Sequence, residues 1–317
     1  MTALGRDSNR QESFPPLDHL HGAATTVGRI RVVPICDACV PAPLEDDVTR
    51  PKEGWARFQE LYPWAFIERD ELYWNFHVHA FLLICPGDRL VLVDTGFGDY
   101  ERFEIWNRWA NLRPDKTSEE WLGRVPTEMR IAGFGPSDID DVVISHLHLD
   151  HAGGVASGAD DGLSLTFPNA RCHLPQRDWE FWASHGGEDI ESEIFERYWR
   201  GLEGESQVRI SQSEIDVVEG VRLVNTPGHT RGHRSVLVTS LDETLLLACD
   251  VLHHPFQFAH PEYRGQDDLG EEGIKSRKRV LAEAEAGGCL LSATHFVLPF
   301  ARARRTDGQL DAAFVAM

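Results

Sequence analysis

The 317-residue chain has no apolar run approaching the roughly 20 residues that a bilayer-spanning helix needs. Its opening stretch, Met1 to Pro16, is polar and charged, without the apolar core expected of a signal peptide. Positive charge is scarce: 31 Lys and Arg stand against 51 Asp and Glu, a formal net charge of −20. A phosphate backbone or an anionic membrane surface would be repelled by that field, so neither nucleic acid nor membrane is an expected partner. Cysteine is sparse too. Of the six, only Cys36 and Cys39 have redox or zinc-knuckle spacing, and no second pair completes a tetrahedral site. Cys85, Cys172, Cys249 and Cys289 lie in or beside apolar segments and read as small core residues. No short-period repeat is visible. What remains is the composition of an ordinary globular protein, 42% hydrophobic and 26% charged, long enough for a substantial core and expected in the cytoplasm.

Against that plain background one segment stands out. Ser145-His146-Leu147-His148-Leu149-Asp150-His151-Ala152-Gly153-Gly154 places four metal-competent side chains within six residues, directly after the apolar run Val142-Val143-Ile144. Side chains two apart in an extended segment point the same way. His146, His148 and Asp150 are therefore expected on one side, with His151 swinging in as the chain turns at the two glycines. Imidazoles with a carboxylate suit zinc, and also iron, manganese or cobalt.

Further ligands are available downstream. His229 lies in a Pro/Gly turn after Val221-Arg222-Leu223-Val224, Asp250 ends Leu245-Leu246-Leu247-Ala248-Cys249, and His295 ends Cys289-Leu290-Leu291-Ser292-Ala293-Thr294. Each stands where an apolar strand gives way to a loop, the place where a rigid sheet carries chemistry.

With these residues the chain resembles the metallo-β-lactamase-fold hydrolases. Their H-x-H-x-D-H motif matches His146, His148, Asp150 and His151, and their later His, bridging Asp and final His match His229, Asp250 and His295. Leu90-Val91-Leu92-Val93 followed by Asp94-Thr95-Gly96 matches a further family motif, in which the Asp holds loops beneath the metals. The resemblance runs from about Val27 to about Pro299. It implies an α/β (α+β) fold, an αββα sandwich of two mixed sheets flanked by helices. A single domain over 27–317 would follow an N-terminal arm over 1–26.

The separations of 78, 21 and 45 residues between His151, His229, Asp250 and His295 look like the branch of N-acyl-homoserine lactonases and methyl-parathion-hydrolase-like enzymes. β-Lactamases of this fold usually carry Cys where this chain has Asp250. With 22 residues after His295, the helical substrate domain of glyoxalase II enzymes is not expected. The resemblance implies two divalent ions, zinc first among the candidates. One would take His146, His148 and His229, the other Asp150, His151 and His295, with Asp250 bridging. A metal-bridging hydroxide would then cleave a lactone or ester of a small molecule. The alternatives are an organophosphate or phosphoester substrate, and a mononuclear iron dioxygenase of the same fold.

Asp150 and His253 are the expected catalytic side chains. Lactonases often carry Tyr three residues after the bridging Asp, against the substrate carbonyl. Here that position is His253, able to donate the same hydrogen bond, to assist proton transfer to the leaving group, or to support a ligand. His233 is expected to orient its turn, and the pair His77 and His79 to pack or line the pocket.

For the rest, strands are expected at Ile30–Ile35, His77–Ile84, Leu90–Val93, Ala170–Leu174, Val217–Val224, Ser235–Thr239 and Thr244–Ala248. Helices are expected mainly within 99–133, from Gln176 to Ser184, around Ile190–Leu202 and over Ile274–Ala286. A short helix is expected after Pro136. Aromatic residues in 51–76 and 99–121 suit a pocket wall, core or a homodimer interface.

Overall fold

The computed structural model describes residues 24–43, 55–68, 72–98, 123–158, 163–187, 190–264 and 269–315. Trp106, Trp109 and Trp121 lie outside them, as do most of the N-terminal arm and the first part of the 99–133 helical expectation. Among the described residues, no helix is long and apolar enough to cross a membrane.

Two mixed sheets form the centre. The first contains β1 (Thr25–Val27), β2 (Ile30–Pro43), β3 (Phe66–Glu68), β4 (Leu72–Cys85), β5 (Arg89–Val93) and β6 (Asp141–Val143). A separate small ribbon pairs β7 (Ala156–Ser157) with β8 (Ser164–Leu165), and the first sheet is completed by β9 (Arg171–Pro175) and β10 (Val208–Ser211). Its order is β1-β2-β4-β5-β6-β9-β10, antiparallel as far as β5 and parallel from there on. The second sheet runs in chain order through β11 (Asp216–Val218), β12 (Val221–Asn225), β13 (Arg234–Ser240), β14 (Glu243–Leu247), β15 (Leu290–Ser292), β16 (Ala301–Thr306) and β17 (Gln309–Phe314). Only its β14–β15 pair is parallel.

The near-continuous apolar runs exist because both faces of these strands are covered. Period-two alternation then sorts their residues into different layers. Phe81 and Leu83 of β4, Val91 and Val93 of β5, Val236 and Val238 of β13, and Leu245 and Leu247 of β14 pack in the core between the sheets. Their neighbours Leu82, Leu90 and Leu92 turn outward to a second core, with Val125 and Met129 of helix Val125–Ile131. On the other side Leu246 packs against Val280, Leu281 and Ala284 of helix Glu271–Gly287. That helix buries Gly273, Ser276, Arg277, Val280, Leu281 and Ala284, a stripe at three-to-four-residue spacing. Glu271 and Glu272 complement its N-terminal dipole, and left-handed Gly288 ends it. The layers are therefore helix, sheet, sheet, helix, as the resemblance implied.

Several boundaries differ from the sequence reading. The first long strand extends to Pro43, and a short strand at Thr25–Val27 precedes it. Val217–Val224 is two strands, folded back at Gly220, whose φ of +82° an L side chain would resist. The turn after Pro136 is a single 3-10 turn over Pro136–Asp138. The hairpin of β16 and β17 is an addition: Asp307-Gly308, at φ +53° and +84°, closes it with a Thr306–Gln309 pair. Asp-Gly is a strong hairpin signal, but the basic outer positions Arg302, Arg304 and Arg305 masked the strand alternation around it.

Buried Asp37 of β2 ties the loop after β5 to the start of helix Val125–Ile131. Its carboxylate accepts from the Phe97 backbone N–H at 2.9 Å and from the Val125 N–H at 2.9 Å, the latter opening a helix. Burial pushes its pKa up to about 6, against the opposing pull of these backbone donors. The folded chain thus holds this proton where the unfolded chain, with a value near 3.8, has lost it. Stability from this group is greatest below pH 4 and declines by about 3 kcal/mol as pH rises from 4 to 6. Urea unfolding of metal-free protein across that range should show this slope, and Asp37→Asn should flatten it. Equal slopes in the two proteins would refute the assignment.

Candidate metal centre

All seven residues of the expected ligand set stand at one end of the sandwich, on loops after β6, β12, β14 and β15. The local structure of the H-x-H-x-D-H segment differs from the extended run expected of it. The β6 strand stops at Val143, His148 is the last extended residue, and Leu149–Ala152 forms one helical turn whose first carbonyl, that of His148, accepts from Ala152 at 2.9 Å. Asp150 and His151 are adjacent on that turn, and it brings the His151 ring to 4.0 Å from that of His146. The turn fits closely on the loop after β5: a Cβ at Gly153 would lie 2.3 Å from the Phe97 carbonyl oxygen, and one at Gly154 2.3 Å from that of Thr95.

The ligand atoms fall into overlapping groups, His146/His148/His229, Asp150/His151/His295, and sets that share Asp250. His148 Nδ1 lies 3.0 Å from His146 Nε2 and 3.0 Å from His229 Nε2. One oxygen, Asp250 Oδ2, is the hub. It lies 3.0 Å from His295 Nε2, 3.1 Å from His151 Nε2, 3.2 Å from His253 Nε2, 3.5 Å from His229 Nε2 and 3.8 Å from His146 Nε2. Asp150 Oδ2 is 3.5 Å from His151 Nε2 and 3.7 Å from His295 Nε2.

A supporting layer fixes which ring nitrogens face inward. His151 Nδ1–H donates to Asp94 Oδ2 at 2.8 Å, and His295 Nδ1–H donates to the His77 carbonyl at 2.8 Å. Asp94, itself at a φ of +60°, also accepts from the Ser145 N–H at 2.7 Å and the Ser145 hydroxyl at 2.9 Å. His233 accepts the Asp250 backbone N–H at 3.1 Å and donates to the Thr226 carbonyl at 3.1 Å, so it orients the hub residue as well as its own turn. The strand that carries His77 and His79 serves the site mainly through its backbone. The His79 ring donates to the Phe296 carbonyl at 3.0 Å, and Phe76 stacks on His295 at 4.0 Å.

Electrostatics divide the imidazoles. Burial, reinforced by His151, His148 and His229, holds His146 well below the usual histidine range. Burial pulls His151 the same way, but Asp250, Asp150 and Asp94 overcome it and hold His151 well above that range. Burial would raise Asp250, yet His151, His295 and His253 keep it well below the ordinary carboxylate range. A crowd of imidazole nitrogens facing one another at 3.0 Å, around a carboxylate whose Oδ1 is buried without a hydrogen bond, has lone pairs in search of cations. The donor set fits divalent metal. Cys249, beside Asp250, is no competing nucleophile, because burial and then Asp94 push its thiol well up.

Residues 74–284 match the metallo-beta-lactamase superfamily. The chain belongs to that superfamily. His295 lies beyond the matched span and joins the cluster through the fold. A probable metallo-hydrolase of Mycobacterium tuberculosis is 33% identical over 187 residues, 55% of this chain and 56% of its own length; the chain thus spans about half of that relative. An N-acyl homoserine lactonase of a Bacillus species is 30% identical over 199 residues, 60% of this chain and 71% of its own. Among solved structures, the hydrolase AbOPH superposes with a TM-score of 0.74 at 19% identity, over 93% of this chain and 97% of its own. AidC, a dizinc quorum-quenching lactonase in complex with a product, gives 0.72 at 19% identity over the same shares. At such identities these two superpositions speak for the fold alone.

Two residues of the superfamily member described here were not legible in its sequence as part of the site. Asp178 and Arg234 lie outside the motif, carry no distinctive spacing, and are recruited only by packing. Of the Cys36 and Cys39 pair, Cys36 is buried with its Sγ 3.9 Å from His77 Nδ1, and the side chain of Cys39 lies outside the described residues.

Proposed function

We propose that this chain is a metal-dependent hydrolase that opens lactones or cleaves simple esters of small molecules. The observation that carries the reading is the Asp250 hub, one carboxylate oxygen within 3.8 Å of five imidazoles, with Asp150 beside two of them. His146, His148 and His229 would hold one ion, Asp150, His151 and His295 another, and Asp250 would serve both. Divalent ions there supply Lewis acidity and bring the pKa of water down toward neutrality. Zinc suits the N/O donor set, as iron, manganese and cobalt also do.

The chain's own residues do the rest. Asp94 and the His77 carbonyl occupy the outer nitrogens of His151 and His295 and leave their inner nitrogens for ligation. His148 and Asp150 are only half-buried whereas their partners are buried, so substrate reaches the cluster from their side. His253, nearly buried and 3.2 Å from the hub oxygen, is the group placed to hydrogen-bond the substrate carbonyl or hold a proton at Nε2 for the leaving alkoxide. The Bacillus lactonase relatives support lactones as the first substrates to try.

Purified protein should be assayed on acyl-homoserine lactones, simple lactones, aryl esters and methyl parathion, with and without chelator, alongside metal analysis. Chelator-sensitive ring opening with two ions per chain is expected. His253→Phe should lower kcat about 100-fold, at the low end of general acid–base contributions, with metal content unchanged. Activity indifferent to chelator, or one iron per chain with oxygen uptake, would sink the reading. A His253→Phe protein that loses an ion would make His253 a ligand instead.

A further inference from the structure

We propose that Asp178 is a positioning residue for one metal group alone, the three-imidazole set His146, His148 and His229. The inference rests on the two-ion reading above. Asp178 lies on helix Gln176–His185, remote in sequence from every ligand, and its side chain is buried. Its Oδ2 accepts from the Leu147 backbone N–H at 3.2 Å and from the Thr230 hydroxyl at 2.7 Å. Its Oδ1 accepts from the Gly232 backbone N–H at 2.5 Å. Leu147 stands between His146 and His148, and Thr230 follows His229. One carboxylate therefore clasps the two loops that supply the three imidazoles.

The clasp is closely built. A Cβ at position 232 would lie 2.8 Å from the Asp178 backbone nitrogen and 2.8 Å from its Oδ1, so glycine is required by approach rather than by φ. Among the described residues, the Asp178 carboxylate bonds only to these two loops. Asp94 anchors differently: it bonds His151 directly and reaches His146 through Ser145, whose hydroxyl donates to Asp94 and lies 2.9 Å from His146 Nδ1, but it makes no bond to the His229 loop. The buried Arg234 guanidinium feels both carboxylates, Asp178 more strongly than Asp94. Two anions thus flank one buried cation, and of the two only Asp178 joins the His146/His148 loop to the His229 loop.

Ligands must be held to about 0.5 Å for productive geometry. Losing the clasp frees the His146/His148 loop from the His229 loop while leaving the Asp94 side intact. Asn at position 178 cannot replace it: an amide presents one acceptor, and its NH2 would face either the Gly232 N–H or the Leu147 N–H.

The test is zinc titration of chelator-stripped protein against a chromophoric chelator, with circular dichroism to monitor the fold. Asp178→Asn should weaken one ion about 10–100-fold, the usual effect of removing a ligand's supporting partner, and leave the other nearly unchanged. In a His295→Ala background, where the three-imidazole set remains whole, the same drop should appear. Thr230→Val removes one bond of three with little change of shape and should weaken the same ion by less. If wild-type protein binds two ions and folded Asp178→Asn and Thr230→Val both keep both affinities, or lose both equally, this inference fails alone. One ion per chain, weakened by Asp178→Asn, would overturn the two-ion reading and sustain the clasp. No ion at all would overturn both.

Discussion

Asp250→Ala should release both metal ions and reduce hydrolysis to background. The Oδ2 atom of this residue faces five imidazoles, so its loss removes an anion shared by the two proposed metal groups. Removing a group that merely supports a ligand typically weakens metal binding about 10–100-fold. Removing the shared ligand should exceed that for both ions together. His151 would also lose the carboxylate that does most to hold its pKa up against burial. Asp250→Asn separates shape from charge: it keeps the volume and the backbone bond to His233 but not the anion, and should fail almost as completely. Metal content after dialysis, together with initial rates on the best lactone, measures the outcome. Two ions retained at wild-type affinity in either variant would refute the hub.

Arg234→Met should lower stability by about 3 kcal/mol. Arg234 is only 1% exposed. From β13 of the second sheet its guanidinium donates to the Ile144 and His173 carbonyls at 2.8 Å each and to the Ser211 carbonyl at 3.1 Å, in or just beyond strands of the first sheet. Its backbone N–H donates to the Ser145 carbonyl at 3.0 Å, directly before the metal motif. Burial draws its pKa down to about 10, against Asp178 and Asp94, so it remains a cation at neutral pH. Relief from burying that charge favours methionine, as replacements of buried ions sometimes show. The Ile144 and Ser211 carbonyls, stripped of this donor at about 1–3 kcal/mol each, outweigh it, whereas the His173 carbonyl keeps the Ile144 N–H at 3.1 Å. Against a total stability of about 5–15 kcal/mol, that loss is large. Urea unfolding of the metal-free proteins gives the comparison, and a loss under about 1 kcal/mol would count against the inter-sheet tie. Arg234→Lys should fall between, since one ammonium cannot span three carbonyls from the same position.

The ligand residues were legible because the chemistry needs particular side chains in a compact order. His146, His148, Asp150, His151, His229, Asp250 and His295 could be named from their types and from apolar runs ending beside them. The conformation of the motif was not legible: Leu147, Leu149 and Ala152 suit a strand or a helix equally, and the turn at Leu149–Ala152 is settled by contact of Gly153 and Gly154 with the loop after β5. The β16–β17 hairpin was missed because one basic face hid its alternation, although Asp307-Gly308 marked the turn. Asp37, Asp178 and Arg234 gave no signal, since a buried charge is recognisable only once its partners from distant segments are in place.

The sequence by itself determined the candidate donor residues, because residue type is a local property that survives in one dimension, and through them the resemblance that implied the layered fold. Only the tertiary structure decided that Asp250 Oδ2 is the hub, that His253 stands beside it, and that Asp178 bonds the His146/His148 and His229 loops while Asp94 bonds His151 and Ser145. Those are distances between atoms up to 145 residues apart in the chain, and they are set by how two sheets pack and not by any one segment. The H-x-H-x-D-H motif names the candidate ligands; the sandwich sets where their nitrogens point.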